Sequence, residues 1–143
     1  MINVLICGIS GETGKRIYLT SQKNELLNVV CGVDTQFKSN IEFDCPVYAS
    51  FEEVKEMVDV IINFSTPDVL SEVLEFALEN NCAIVDGTTG YTLKQKEDIQ
   101  NASAKIPVFM PTNVSTGVNA LRKLCLLASE TLGDFDIEII EEH

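Results

Sequence analysis

The chain has 143 residues, enough for one domain with a sizeable core and too few for two full ones. Its 45% hydrophobic and 22% charged residues give the composition of a folded globular protein and exclude a disordered one. A formal charge of −12 argues against nucleic acid as a partner, because phosphate backbones are held by lysine and arginine, and it requires any anionic ligand to be captured by a local device.

The longest apolar runs, Val4-Leu5-Ile6 and Val60-Ile61-Ile62, fall far short of a membrane span, so no membrane partner is expected. Met1 leads directly into a strand-like run without the basic segment of a signal peptide. Five cysteines (Cys7, Cys31, Cys45, Cys82, Cys125) form no C-x-x-C pair. Reduced, mostly buried thiols are expected, and with them a cytoplasmic location. The single histidine, His143, makes a zinc site improbable.

In chain order, Asn3–Cys7 is a continuous apolar run, then comes the glycine turn Gly8-Ile9-Ser10-Gly11-Glu12-Thr13-Gly14 and a helix over Glu12–Ser21. Val29–Val33 is strand-like and ends at Asp34, and Thr35–Pro46 is polar and irregular. A short strand at Val47-Tyr48 precedes Ser50-Phe51-Glu52-Glu53, an S-x-x-E box expected to cap a helix. Val58–Phe64 is the most strand-like run of all. Ser65-Thr66-Pro67-Asp68 then offers a hydroxyl cap, a first-turn proline and an acid near the helix dipole's positive end. Val69, Leu70, Val73, Leu74, Ala77 and Leu78 follow at helical spacing. A strand at Ala83–Val85, a capping box at Thr92–Gln95 opening a helix to Ser103, and a strand at Pro107–Met110 come next. A helix at Gly117–Thr131 and a final strand at Phe135–Ile140 complete the pattern.

Strands that are apolar throughout are buried on both faces. Interleaved with helices, they predict an α/β fold: a doubly wound, Rossmann-like parallel sheet with helices on both faces. The pattern runs without a linker over residues 1–132, taken as one domain.

Gly8, Gly11 and Gly14 follow a buried strand and open a helix, the context in which a glycine turn binds pyrophosphate. Gly8 permits the tight turn, Gly11 lets the backbone approach the phosphates, and Gly14 allows close helix–strand packing. The N–H groups at the helix start supply local positive charge. By itself this G-x-x-G-x-x-G spacing also fits a purely structural turn. Asp34, 20 residues after Gly14 at the end of the second strand, is placed to bond adenine-ribose hydroxyls, which turns the reading toward a dinucleotide. Thr35 follows where an arginine would pair a 2′-phosphate, and the carboxylate repels that phosphate. NADH is therefore the expected cofactor; Lys38 in the loop keeps NADPH as the alternative. Phe64-Ser65-Thr66-Pro67 and Asp86-Gly87-Thr88-Thr89-Gly90 lie at the ends of later strands, on the edge where open parallel sheets bind ligands. A simple helix cap and a simple turn are their plainer readings.

These residues, with Pro111-Thr112-Asn113-Val114-Ser115-Thr116-Gly117-Val118-Asn119 and Asp136-Ile137-Glu138-Ile139-Ile140-Glu141-Glu142-His143, resemble the 4-hydroxy-tetrahydrodipicolinate reductases along essentially the whole chain. Those are nicotinamide-dependent oxidoreductases of lysine and diaminopimelate synthesis. The resemblance implies that the backbone of Gly8, Ile9, Ser10, Gly11, Glu12 and Thr13 holds the pyrophosphate and Asp34 the adenosine ribose. Gly87, Thr88 and Thr89, with Pro111, Thr112, Asn113 and Val114, would line the nicotinamide half, and Phe64 is a further cofactor-binding candidate. His143 aligns with the family's catalytic histidine, a general acid or base beside a small dicarboxylate substrate that accepts hydride at a cyclic imine. Glu12 departs from the family, which has a basic residue there; Lys15 or Arg16 would substitute.

The family continues beyond the last residue here with a second histidine, a lysine and a serine-glycine-threonine loop, in a mixed α/β domain that also makes a homotetramer. Residues 133–143 are accordingly expected to be the truncated start of that substrate and tetramerisation domain. The chain is expected to supply cofactor binding and to be inactive alone. Two other readings stand beside this one: a stand-alone NADH-binding regulatory module, and the cofactor subunit of a split oxidoreductase. The bare terminal His143 also fits a loose end or the stub of a tag.

Overall fold

The computed structural model describes residues 1–35, 43–111, 113–138 and 140; Lys38 and the site candidates Thr112 and His143 lie outside them. It forms two compact units, Met1–Met110 and Pro111–His143. The division falls ahead of the Gly117–Thr131 helix, so that helix belongs to the second unit.

The first unit is built on a parallel six-stranded sheet: β1 (Ile2–Cys7), β2 (Leu27–Val33), β3 (Val47–Tyr48), β4 (Val60–Asn63), β5 (Ala83–Asp86) and β6 (Val108–Phe109). The strand order is β3-β2-β1-β4-β5-β6. Helix α1 (Glu12–Ser21) follows β1, α2 (Leu70–Asn80) follows β4 and α3 (Leu93–Ser103) follows β5.

Alternation along the strands sorts the side chains into two layers. Leu5, Cys7, Ile61 and Ile84 pack with Val73 and Ala77 of α2 and Ile99 of α3. Val4 and Ile6 pack on the opposite face with Ile9 and with Tyr18 of α1. Burying β1 on both faces is what its unbroken apolar sequence demands, and it confirms the doubly wound arrangement. Helix α2 stops because Asn81 turns left-handed (φ 53°) and returns its N–H to the Ala77 carbonyl.

Four local expectations are corrected. The Ser50–Glu53 box opens only a single 3-10 turn, Phe51–Glu53. Its Glu53 carboxylate accepts from the Ala49 N–H, one residue too early for a reciprocal cap, and Val54 returns to extended backbone. Neither Ser65 nor Thr66 caps the following helix: Thr66 makes no capping bond, and Pro67–Val69 is a 3-10 turn leading into α2. The fourth strand is shorter than Val58–Phe64, because Val58 and Phe64 lie outside the ladder to β1 and β5. No described residue of Phe135–Ile140 is in a strand. A strand needs a ladder, and all six sheet strands pair with one another within the first unit.

The second unit carries α4 (Thr116–Thr131), capped by Ser115, whose Oγ accepts from the Val118 N–H at 3.3 Å. Asn113 Oδ1 accepts from the Ser115 N–H at 2.6 Å, and Asn119 Nδ2 donates to the Asn113 and Ser115 carbonyls. The asparagine loop is thus held by its own amides. Among the described residues no helix is long and apolar enough to cross a membrane.

The Thr92 box forms in full: Thr92 Oγ1 accepts from the Gln95 N–H, and Gln95 Oε1 accepts from the Thr92 N–H. Thr92→Ala should therefore lower stability by about 1 kcal/mol in urea unfolding, the usual cost of a lost N-cap. An unchanged midpoint would show that the cap is idle. Cys7 and Cys31 are buried, and burial pushes both thiols up to about 12. Since the thiolate is the nucleophile, alkylation of the native protein at about pH 8 should leave both unmodified until denaturant is added. Prompt labelling of either without denaturant would contradict the packing.

Candidate functional site

Ladder hydrogen bonds run past the strand ends and align the candidate residues along one edge of the sheet. Gly8 N–H donates to the Val33 carbonyl, Phe64 N–H to Cys7, and Gly87 N–H to Asn63, at 2.8, 3.1 and 2.8 Å. Because β2 leaves β1 on one side and β4 lies on the other, the strand order reverses at β1. A crevice opens at such a reversal, outside the carboxyl ends of the strands.

The crevice is a cavity of about 270 Å³ bordered by Gly8, Gly11, Asp34 and Thr35 on one side and by Phe64, Ser65 and Thr66 on the other. That volume is below the range of pockets that enclose a whole drug-sized ligand, and it suits an extended ligand laid along the edge. A larger hollow of about 780 Å³ lies against α1, lined in part by Val4, Ile17, Leu27 and Ile62. Its floor is the middle of β1 and β4 and the start of β2, not the carboxyl ends where open parallel sheets bind ligands, so size does not make it the site.

The three glycines divide the work. Gly8 has φ +80°, and a Cβ there would fall 2.4 Å from the Phe64 carbonyl oxygen. A Cβ on Gly14 would fall 2.1 Å from the Gly8 oxygen, so α1 can lie this close to β1 only with glycine there. Gly11 differs: its backbone is extended (φ −70°, ψ 163°) and its nearest neighbour to an added Cβ is the Gly8 oxygen at 3.3 Å. Fold requirements fall on Gly8 and Gly14; Gly11 faces the crevice. It is also the N-cap of α1 and caps with no side chain, which leaves the first-turn amides to another acceptor.

Asp34 closes over this turn. Its Oδ2 accepts from the Ser10 N–H at 3.1 Å and from the Ser10 hydroxyl. The turn after β1 and the acid after β2 are therefore one connected wall. The Ile9 side chain is fully buried, so Ile9 can offer a ligand only its backbone. Glu12 is exposed in the first turn of α1, and Thr13 borders the hollow beside α1. Thr35 is exposed at the crevice mouth.

Beyond β4, the second pair of loops is tied together by groups that sequence reasoning passed over. Asn63, Asp86 and Tyr91 are buried, and Tyr91 OH donates to Asp86 Oδ2 at 2.8 Å while accepting from Asn63 Nδ2 at 3.2 Å. Ser65 Oγ, expected to cap a helix, donates instead to Asn63 Oδ1 at 2.6 Å. Burial and the hydrogen bond to Asp86 raise the Tyr91 phenol above its ordinary range. The available signal was the polar residue ending each of two apolar runs, Asn63 in Val60–Asn63 and Asp86 in Ala83–Asp86. Gly87 and Thr88 lie in this region with Thr88 buried, whereas Thr89 is exposed. Pro111, Asn113 and Val114 belong to the second unit.

Against known proteins, residues 2–114 match the family model described as dihydrodipicolinate reductase, N-terminus. The 4-hydroxy-tetrahydrodipicolinate reductase of Campylobacter lari is 41% identical over the full chain, and that of Caldanaerobacter subterraneus 36%. The chain spans about half the length of these relatives, 54% and 56%. Among solved structures, dipicolinate-bound dihydrodipicolinate reductase from Paenisporosarcina sp. TG-14 superposes with a TM-score of 0.74 at 26% identity, covering 90% of this chain and 54% of that one. A WlbA dehydrogenase from Thermus thermophilus, solved with NAD and alpha-ketoglutarate, shares the fold at 15% identity and a TM-score of 0.65, covering 96% of this chain and 48% of that one. With its glycine turn, strand order and matched residues in agreement, the chain belongs to the dihydrodipicolinate reductase family and corresponds to its N-terminal portion.

Proposed function

We propose that this chain binds NAD(H) in the crevice and supplies the cofactor-binding portion of a 4-hydroxy-tetrahydrodipicolinate reductase, an enzyme of lysine and diaminopimelate synthesis. The observation that carries the reading is the meeting of Gly8, Gly11, Asp34 and Phe64 around one cavity at the reversal of the sheet. The fit is physical. An uncapped helix start beside a side-chain-free Gly11 suits a pyrophosphate, and an acid at the end of β2 suits ribose hydroxyls.

When bound, the nicotinamide supplies a hydride. The chain's own residues bind and orient. First-turn amides of α1 hold the phosphates in a protein whose overall charge repels them. Asp34, fixed through one oxygen by Ser10, meets the adenosine ribose and repels a 2′-phosphate, which favours NADH over NADPH. In the strand order, β4 and β5 lie across β1 from Asp34, which supports giving Gly87, Thr88 and Thr89 to the nicotinamide half, while Phe64 faces Asp34 across the crevice. By resemblance to the family, Pro111, Thr112, Asn113 and Val114 are the further candidates for contact with the nicotinamide.

His143 would move a proton at a small dicarboxylate substrate. Reduction of that substrate, and assembly into a homotetramer, would draw on the further length that the relatives possess. In this reading residues 1–132 serve the cofactor and 133–143 begin the substrate domain; the setting is cytoplasmic.

Gly11 gives the cleanest test, because its φ and ψ suit any residue and an added Cβ meets only the Gly8 oxygen, at 3.3 Å, whereas Gly8 and Gly14 would clash outright. Gly11→Leu should weaken NADH binding about tenfold or more, equivalent to about 1.4 kcal/mol, in a protein that still folds, with the lowered melting temperature expected of a poorer N-cap. Undiminished NADH affinity in that variant would refute the glycine-turn site. Asp34→Ala should cost NADH about tenfold and NADPH less, since the lost bonds are to ribose hydroxyls and the lost repulsion is to the phosphate. Equal losses would show that Asp34 does not meet the ribose.

A further inference from the structure

The loops after β4 and β5 are joined by a closed circuit of hydrogen bonds. Asp86 Oδ1 accepts from the Thr88 N–H at 2.8 Å, and Thr88 Oγ1 accepts from the Ser65 N–H at 3.1 Å. Ser65 Oγ donates to Asn63 Oδ1, and Asn63 Nδ2 donates back to Asp86 Oδ2 at 3.0 Å. Tyr91, just ahead of α3, bonds both Asn63 and Asp86 and brings the helix start into the same circuit. Asn63 is 0% and Asp86 1% exposed, so each of these polar groups would be costly to leave unmade.

Packing locks the same two loops. The Phe64 ring lies against Gly87 so closely that a Cβ there would fall 2.2 Å from Phe64 Cε1. Phe64 and Ser65 in turn border the crevice. A buried network with its bonds satisfied rigidifies what it joins.

We propose that Asn63, Asp86 and Tyr91 are positioning residues for the crevice. They hold the Phe64–Thr66 and Gly87–Thr89 loops in one fixed relation, and through them set the crevice wall facing Asp34 and the loop offered to the nicotinamide half of the ligand. None of the three need touch that ligand. The proposal rests on the dinucleotide reading and adds a division of labour to it. The β1–β2 side, with Gly8, Gly11 and Asp34, holds the ADP-ribose half, while the buried circuit fixes both the Phe64–Thr66 wall that faces it and the Gly87–Thr89 loop of the other half.

The test is a titration of the chain and of its Tyr91→Phe and Asp86→Asn variants with two probes, NADH and ADP-ribose, the second lacking nicotinamide. Thermal melts followed by circular dichroism report folding. Tyr91→Phe removes one oxygen from the circuit and keeps the ring, so it provides the comparison even if Asp86→Asn does not fold. NADH binding, which meets both loops, should weaken about tenfold in a folded variant, the scale of a lost bond to a charged group, while ADP-ribose, which meets only the Phe64–Thr66 wall, weakens by a smaller factor. Equal weakening of both probes, or no change in either, would overturn the positioning role. Wild-type chain that binds neither probe would instead overturn the dinucleotide reading beneath it.

Discussion

Gly14 lies so close above the Gly8 carbonyl that a methyl group on its Cα would come within 2.1 Å of the oxygen. That approach sets the rest. It brings the start of α1 down onto the end of β1, which puts the helix amides at the sheet edge and leaves a crevice where β2 and β4 diverge. Charge makes the placement consequential. In a chain with 22 acids against 10 lysines and arginines, the long-range field works against an anion, and binding must come from amides a few ångströms away.

The crevice has two walls of different construction. On the β2 side, one serine ties its turn directly to one carboxylate, and both are half-buried. On the β4–β5 side, the loops at the surface are governed by polar groups beneath them. Asn63 and Asp86 occupy inward positions at matched register on neighbouring strands, and Tyr91 closes the gap between them. A ligand spanning both walls would meet one side on which Ser10 is tied to Asp34 and another held by a buried network.

Much of this was legible in the sequence, for identifiable reasons. Apolar runs such as Val4–Cys7 fix strands because burial on both faces leaves no other use for them. The Thr92–Gln95 box formed as read because both of its side chains were free to reach the backbone. Ser50–Glu53 and Ser65–Thr66 carried equally good local patterns and did otherwise. The Glu53 carboxylate found the Ala49 N–H, and the Ser65 hydroxyl found buried Asn63, a partner two residues back that only the folded sheet makes available. The Asn63–Asp86–Tyr91 circuit was missed because its members are 23 and 28 residues apart and meet only through strand register. Phe135–Ile140 has strand-like residues, but no described neighbour supplies a ladder.

The central claim is that the crevice at the end of β1, and not the larger hollow beside α1, receives the dinucleotide. An amide-detected NMR titration of isotopically labelled chain with NADH addresses it directly. Saturable shifts centred on Ser10, Gly11 and Glu12, with Asp34 and Ser65 following, are what the account predicts. Shifts centred on Ile17, Leu27 and Ile62, or none that saturate, would contradict it.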